Sequence, residues 1–147
     1  MQTLNSYCDD KLNVNDLQNP VVLNQAKAFI RKKYREHILF LDSLPLYHED
    51  NKHIYVHAGL NPFYKAWQEQ PERDFIWIRD AFVKKPTVVA KTVVFGHTKT
   101  MDIHGTSDIW FGGDKIGIDG GCAYGLQLNC LEITYVQDQV NYHIFSV

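Results

Sequence analysis

An α/β arrangement, helical at the start and strand-rich toward the end, is what the residue order predicts. Three observations carry it. Apolar residues recur at helical spacing after Pro20, two short β-branched runs end beside a histidine, and four further β-rich runs follow residue 108. Helices first and strands later is the pattern of a mixed α/β or α+β layer architecture. At 147 residues the chain is long enough for a core of its own, so 1–147 is expected to form a single domain.

The first ~19 residues are polar, rich in Asn and Asp, and without a sustained period, which reads as loop. Pro20 suits a first helical position. Val22, Ala26, Phe29 and Ile30 then share one helical face, with Lys27, Arg31 and Lys32 between them. A second helix runs through Ile38, Leu39 and Leu41 and stops at Leu44-Pro45, because proline disfavours helix in the residue before it. Leu46–Glu49 and His53–Val56 read as two strands around Asp50-Asn51-Lys52. Asn61-Pro62 opens a loop. Asp74 is placed to cap a helix carrying Phe75, Ile78 and Phe82 on one side, with Trp77 and Arg79 on other faces. After Pro86 comes a Val93-Val94-Phe95 strand, and the remainder reads as all-β: Ile109–Phe111, Lys115–Ile118, Leu128–Ile133 and Tyr142–Phe145.

The two histidine units are the strongest chemical signal. His57 ends Ile54-Tyr55-Val56-His57-Ala58-Gly59, and His97 ends Val93-Val94-Phe95-Gly96-His97-Thr98. A side chain just beyond a buried strand sits at the carboxyl edge of a sheet, where ligand sites gather. Neutral imidazole is the commonest metal ligand, and small neighbours let backbone and substrate approach. Each histidine either caps its strand against a nearby carbonyl or ligates a metal, and the repeated context favours ligation.

Composition narrows the rest. The chain is 45% apolar and 22% charged with a formal net charge of −2, without the basic surplus of a general nucleic-acid binder. Arg31-Lys32-Lys33 and Arg35 fall on a helical stretch and read as a solvated face. No apolar run approaches the ~20 residues of a membrane span, and the N-terminus is polar, so a cytoplasmic chain with no membrane contact is expected. Three cysteines, Cys8, Cys122 and Cys130, are widely spaced and odd in number, which excludes a disulfide framework and points to reduced thiols. Cys122 has no activating base near it in sequence and is expected to be buried.

Four stretches resemble, in order, the C-terminal half of a calcineurin-like metallophosphoesterase: Val56–Pro62, Phe75–Arg79, Val94–Thr98 and Gly117–Gly125. The likeness is to bacterial phosphoprotein (Ser/Thr) phosphatases and symmetrical dinucleoside tetraphosphatases. It implies the C-terminal portion of a four-layer β-sandwich flanked by helices. It also implies two divalent ions in a complete enzyme, with Mn²⁺ expected and Fe, Zn or Ni able to substitute, and a metal-activated water as nucleophile. By motif match, His57 and His97 resemble ligands of one metal. Arg79, in Trp77-Ile78-Arg79, resembles the catalytic guanidinium that binds substrate phosphate oxygens, a task suited to a planar, permanently charged fork. Without the motif, Arg79 would read as a surface helix arginine. Tyr124 resembles an aromatic wall of the substrate cleft, with a core tyrosine as the alternative. Asp119 is expected to orient a ligand histidine or to fix the Gly120-Gly121 turn.

The family's motifs G-D-x-H-G, G-D-x-x-D-R and G-N-H-D/E find no counterpart before His57. Asp102-Ile103-His104-Gly105 spells part of the first but lacks its leading glycine and preceding strand, and is expected to be a chance match in a loop. The chain is therefore expected to be the C-terminal half of a longer enzyme. It would hold at most one weak metal site, since two imidazoles without a carboxylate suit Mn²⁺ poorly. Four functions stay open: a metal-dependent phosphatase acting on phosphoproteins, a hydrolase of a nucleotide substrate (a dinucleoside tetraphosphate), an inactive remnant serving as an assembly or binding module, and a small histidine-only metal-binding module. Exposed sheet edges would favour a homodimer.

Overall fold

The computed structural model describes residues 2–9 and 13–147, which divide into two compact units, 1–44 and 45–147. The first unit is helical: α1 (Gln2–Tyr7), α2 (Val14–Gln18), α3 (Pro20–Lys33) and α4 (Arg35–Asp42). The loop expected over its first residues is corrected to α1 and α2; residues 1 and 10–12 lie outside the described residues. The asparagines and aspartates that read as loop are caps instead. The Asn13 side chain accepts from the Asn15 and Asp16 N–H groups at 2.9 and 3.1 Å, and the Asp16 carboxylate accepts from the Asn13 N–H at 2.8 Å. That reciprocal box satisfies the orphan donors of α2. Asn19 likewise caps α3 by accepting from the Val21 N–H, with Pro20 at the first helical position. Tyr34 breaks α3 from α4 and packs edge-on against Tyr7, whose hydroxyl meets His37 Nδ1 at 3.0 Å.

The second unit is mixed α/β, built on a five-stranded mixed sheet. Its strands are β1 (Tyr47–Glu49), β2 (His53–Val56), β3 (Thr92–Phe95), β4 (Trp110–Phe111) and β5 (Lys115–Gly117), in the order β1-β2-β3-β5-β4. β2, β3 and β5 run parallel; β1 and β4 are antiparallel edges. Val93, Val94, Phe95 and all three residues of β5 are buried, as expected for parallel strands covered on both faces. One face carries Ile54, Val56, Val93 and Phe95, packed with Leu60, Trp67, Phe75 and Phe82. The other carries Tyr55, Val94 and Ile116, and meets Leu131, Ile133 and Tyr142. These last three belong to a separate two-stranded hairpin, β6 (Asn129–Val136) and β7 (Gln139–Ser146). Helices, sheet and hairpin thus form three layers. Among the described residues no helix is long and apolar enough to cross a membrane.

Three local expectations are corrected. The helix expected from Asp74 through Phe82 is two helices, α5 (Glu72–Trp77) and α6 (Asp80–Val83). Pro71 precedes the first, so Asp74 lies inside its opening turn and accepts from Asn61 Nδ2 at 2.7 Å. The break has a specific cause. The Phe75 carbonyl, which a continued helix would offer to the Arg79 N–H, is taken by the Ala58 N–H at 2.8 Å. Asp102–Gly105 is not loop but the end of α7 (Thr100–His104), closed by Gly105 at φ +86°. Cys122 is exposed rather than buried, in a short 3-10 turn (Cys122–Tyr124); Cys130 is exposed too, and all three cysteines are free.

Candidate functional site

β2, β3 and β5 are neighbours and parallel, so the residues just past each of them gather at a common carboxyl edge. His57 comes one residue after β2, His97 two after β3 and Asp119 two after β5. The Gly96 N–H donates to the His57 carbonyl at 2.9 Å and ties the first two loops together. The two imidazoles lie with ring centres 5.1 Å apart and planes inclined at 53°. His97 holds φ +64°, a left-handed conformation that non-glycine residues adopt at a cost. Residues in that region concentrate at functional sites.

The helix break delivers Arg79. The sequence places it on a helix face; the structure puts it in the joint between α5 and α6, at φ −134° and ψ −110°. From there its Nε donates to His97 Nε2 at 3.2 Å. His97 Nε2 is therefore an acceptor, and its ring proton sits on Nδ1. Trp77, at the end of α5, lays its indole against His97 with ring centres 5.2 Å apart. Burial holds the His97 pKa below the usual imidazole value, helped by the Arg79 charge and the nearby His57 ring and opposed by Asp119. Arg79→Ala should move that pKa back up toward the ordinary value, because one source of repulsion leaves and access to water improves. NMR titration of the His97 ring would read it; a further fall would contradict the geometry.

Asp119 fixes the glycine turn, one of its two expected roles. Its Oδ1 accepts from the Gly121 N–H at 2.9 Å, and its carbonyl accepts from the Thr100 N–H and hydroxyl at 2.8 and 3.2 Å. Tyr124 is 74% exposed, which rules out a core tyrosine. It stands on the 3-10 turn between Gly121 and Gly125, both left-handed, with the Lys99 ammonium 4.8 Å over its ring. Asp102 pairs with Lys99 and His104 bonds the Asp108 carbonyl, so the partial G-D-x-H-G match does not join the histidine pair. Beside His57 and Gly96 opens a groove of about 450 Å³, walled by Tyr47, His48, Tyr55, Val94 and Ile118. Sequence reasoning gave no role to two neighbours of the site: Trp77, set off the apolar helix face, which contacts His97, and Thr98, whose buried hydroxyl has no partner among the described residues.

A divalent ion can be tested against this donor set. With Zn–N near 2.0–2.1 Å, two imidazoles at a tetrahedral angle would have ring centres roughly 5.2 Å apart. The observed 5.1 Å matches that spacing. Among the described residues no third His, Cys, Asp or Glu groups with them. With His97 Nε2 bonded to Arg79 and the ring proton on Nδ1, the pair would offer two nitrogens to a borderline ion such as Zn²⁺ or Ni²⁺ only once that guanidinium turns away.

No protein-family model matches the chain, and no curated protein or solved structure matches it.

Proposed function

We propose that this chain supplies the histidine pair and the phosphate-gripping arginine of a metal-dependent phosphoesterase of the phosphoprotein (Ser/Thr) phosphatase type. The observation that carries the reading is one cluster: His57 and His97 meet at the carboxyl edge of adjacent parallel strands, with Arg79 bonded to His97. The four sequence stretches that resemble the metallophosphoesterases support it, since three of them contain these residues and the fourth carries Asp119. In this reading the sheet and hairpin are the C-terminal portion of the family's four-layer sandwich.

A bound divalent ion would supply Lewis acidity toward the phosphate and a water acidic enough to attack near neutral pH. The chain's own residues do the rest. His57 and His97 would hold the ion through neutral nitrogens, His97 Nε2 becoming free for it when Arg79 turns away. Arg79 turns its fork from His97 to two phosphate oxygens, where its permanent charge opposes the charge of the ester. Trp77 keeps the His97 ring from swinging away. Mn²⁺, which prefers oxygen donors, requires carboxylates beyond this pair, so the chain by itself binds one ion weakly and turns over little phosphate ester.

The test is a Zn²⁺ or Ni²⁺ titration of the purified chain followed by NMR of the histidine rings. Both His57 and His97 signals should shift together. His57→Ala should weaken binding by more than the ~10–100-fold typical of losing an outer-shell partner. Histidine signals that ignore the ion would end the proposal. Phosphopeptide and dinucleoside tetraphosphate, assayed with a complete enzyme carrying this segment, would separate the two substrate classes.

A further inference from the structure

A buried histidine that the proposed chemistry does not use stands at the opposite end of β2. His53 opens that strand and is 1% exposed. Its two ring nitrogens are both engaged by the hairpin: Nδ1 meets the Tyr135 hydroxyl at 2.8 Å and Nε2 the Tyr142 hydroxyl at 2.7 Å. Tyr135 lies near the end of β6 and Tyr142 near the start of β7, so one imidazole clamps both strands close to their turn.

The partners fix the proton positions. Tyr135 donates its hydroxyl proton to Asp50 Oδ2 at 2.7 Å. Its oxygen therefore accepts from His53, which puts the ring proton on Nδ1. Nε2 then carries a lone pair, and Tyr142 donates to it. The neutral ring is fully satisfied, and a second proton on Nε2 would oblige Tyr142 to turn its own hydroxyl proton away from the ring. Asp50 lies nearby, with 3.6 Å between its Oδ1 and His53 Nδ1, but its oxygens are already used. Oδ1 accepts from the Lys52 and His53 N–H groups, and Oδ2 accepts from the Tyr55 and Tyr135 hydroxyls. Those bonds hold Asp50 ionised far below the usual carboxylate range even though burial opposes it.

We propose that His53 is a proton-sensitive latch: neutral, it seats the β6–β7 hairpin on the sheet, and protonated, it releases it. Release uncovers the cluster of Val94, Ile109 and Ile116 under Leu131, Ile133 and Tyr142. The titratable and charged groups around the ring come from every element that packs on it. They are Asp50 and Lys52 from the β1–β2 turn, Tyr55 from β2, Tyr135 from β6 and Tyr142 from β7. Behind them, His48 on β1 tilts against Tyr55, and Lys91 binds Glu49 and the Asp50 carbonyl. Of these only His48 is a second imidazole, so it is the control. Burial lowers the His53 pKa more than Asp50 raises it, which agrees with the geometry. The latch's contribution is therefore intact above the ordinary value of 6.5 and is lost as pH falls through the depressed folded value.

The experiment is amide hydrogen exchange of the whole chain near pH 7.5 and 5, corrected for chemical exchange. If the released ring titrates normally and the seated ring does not, hairpin opening rises by up to about 30-fold between those pH values. Amides of β6 and β7 should show that rise while β2 and β3 do not. His48→Gln should keep it and His53→Gln should abolish it. If His53→Gln does not fold, NMR of the native His53 ring decides, its titration tracking hairpin exchange. A rise below about threefold, an equal rise in His53→Gln, or a ring that titrates at or above its ordinary value with the hairpin still protected overturns the latch.

Discussion

Truncating Phe82 to alanine is expected to destabilise the second unit by about 3–5 kcal/mol. Phe82 is 1% exposed and is the main anchor of α6, a helix of four residues whose Val83 also packs against the core. Its ring stands edge-on to Phe95 at 5.0 Å between centres and lies under the buried Lys115 ammonium at 5.1 Å. Gly59 approaches so closely that a Cβ there would sit 2.3 Å from the ring. Around it Phe95 belongs to a central strand, Gly59 offers only backbone, and the Lys115 ammonium is tied to the Lys85 carbonyl and Asp114, which limits collapse into the gap. A cavity therefore persists, which is what puts the cost at the upper part of the range. Urea unfolding measures it, and Phe82→Leu should lose less than half as much. A loss under about 1 kcal/mol in the alanine variant would mean that α6 does not dock as described.

Gly120→Ala should be nearly as damaging, for a different reason. A Cβ at Gly120 would lie 2.4 Å from the Gln127 carbonyl oxygen and 2.7 Å from Asn129 Nδ2. The first is backbone, and it is pinned where the Gly120–Gln127 loop folds back on itself through the Gln127 N–H to Gly120 carbonyl bond. Asn129 Nδ2 is fixed by the Ser107 and Ile118 carbonyls. Relief requires the loop to open, so the cost belongs at or above the top of the ~1–3 kcal/mol range for overpacking. Gly113 is the control, since its φ of +88° is strained for alanine but its surroundings are open. Gly113→Ala should cost only about 1–2 kcal/mol of left-handed backbone penalty. Equal stability losses in the two variants would refute the close-contact account.

Much of the architecture is legible in the sequence because its causes are local. Helical spacing with Pro20 at one end and Pro45 at the other bounds the main helices of the first unit. Alternation and β-branched runs locate the seven strands of the described residues to within a few residues. The short polar segment before Pro20 misleads because Asn and Asp serve loops and helix caps alike, and only the bonds that they make tell the two apart. The same holds for Gly105, which closes α7 by taking the left-handed turn that also marks a loop.

At the site, the sequence alone selects His57 and His97 through their repeated setting at strand ends, and parallel pairing then brings them within 5.1 Å. It does not contain the reason Arg79 reaches them: the Ala58 N–H takes a carbonyl that α5 would otherwise have used, and the chain turns. Nor does it mark His53, whose tyrosine partners lie 82 and 89 residues away. Period, caps and proline act over a few residues and can be read along the chain. A helix break set by a neighbouring loop, and a buried ring closed by two distant hydroxyls, exist only once packing has chosen which backbone and side-chain groups meet.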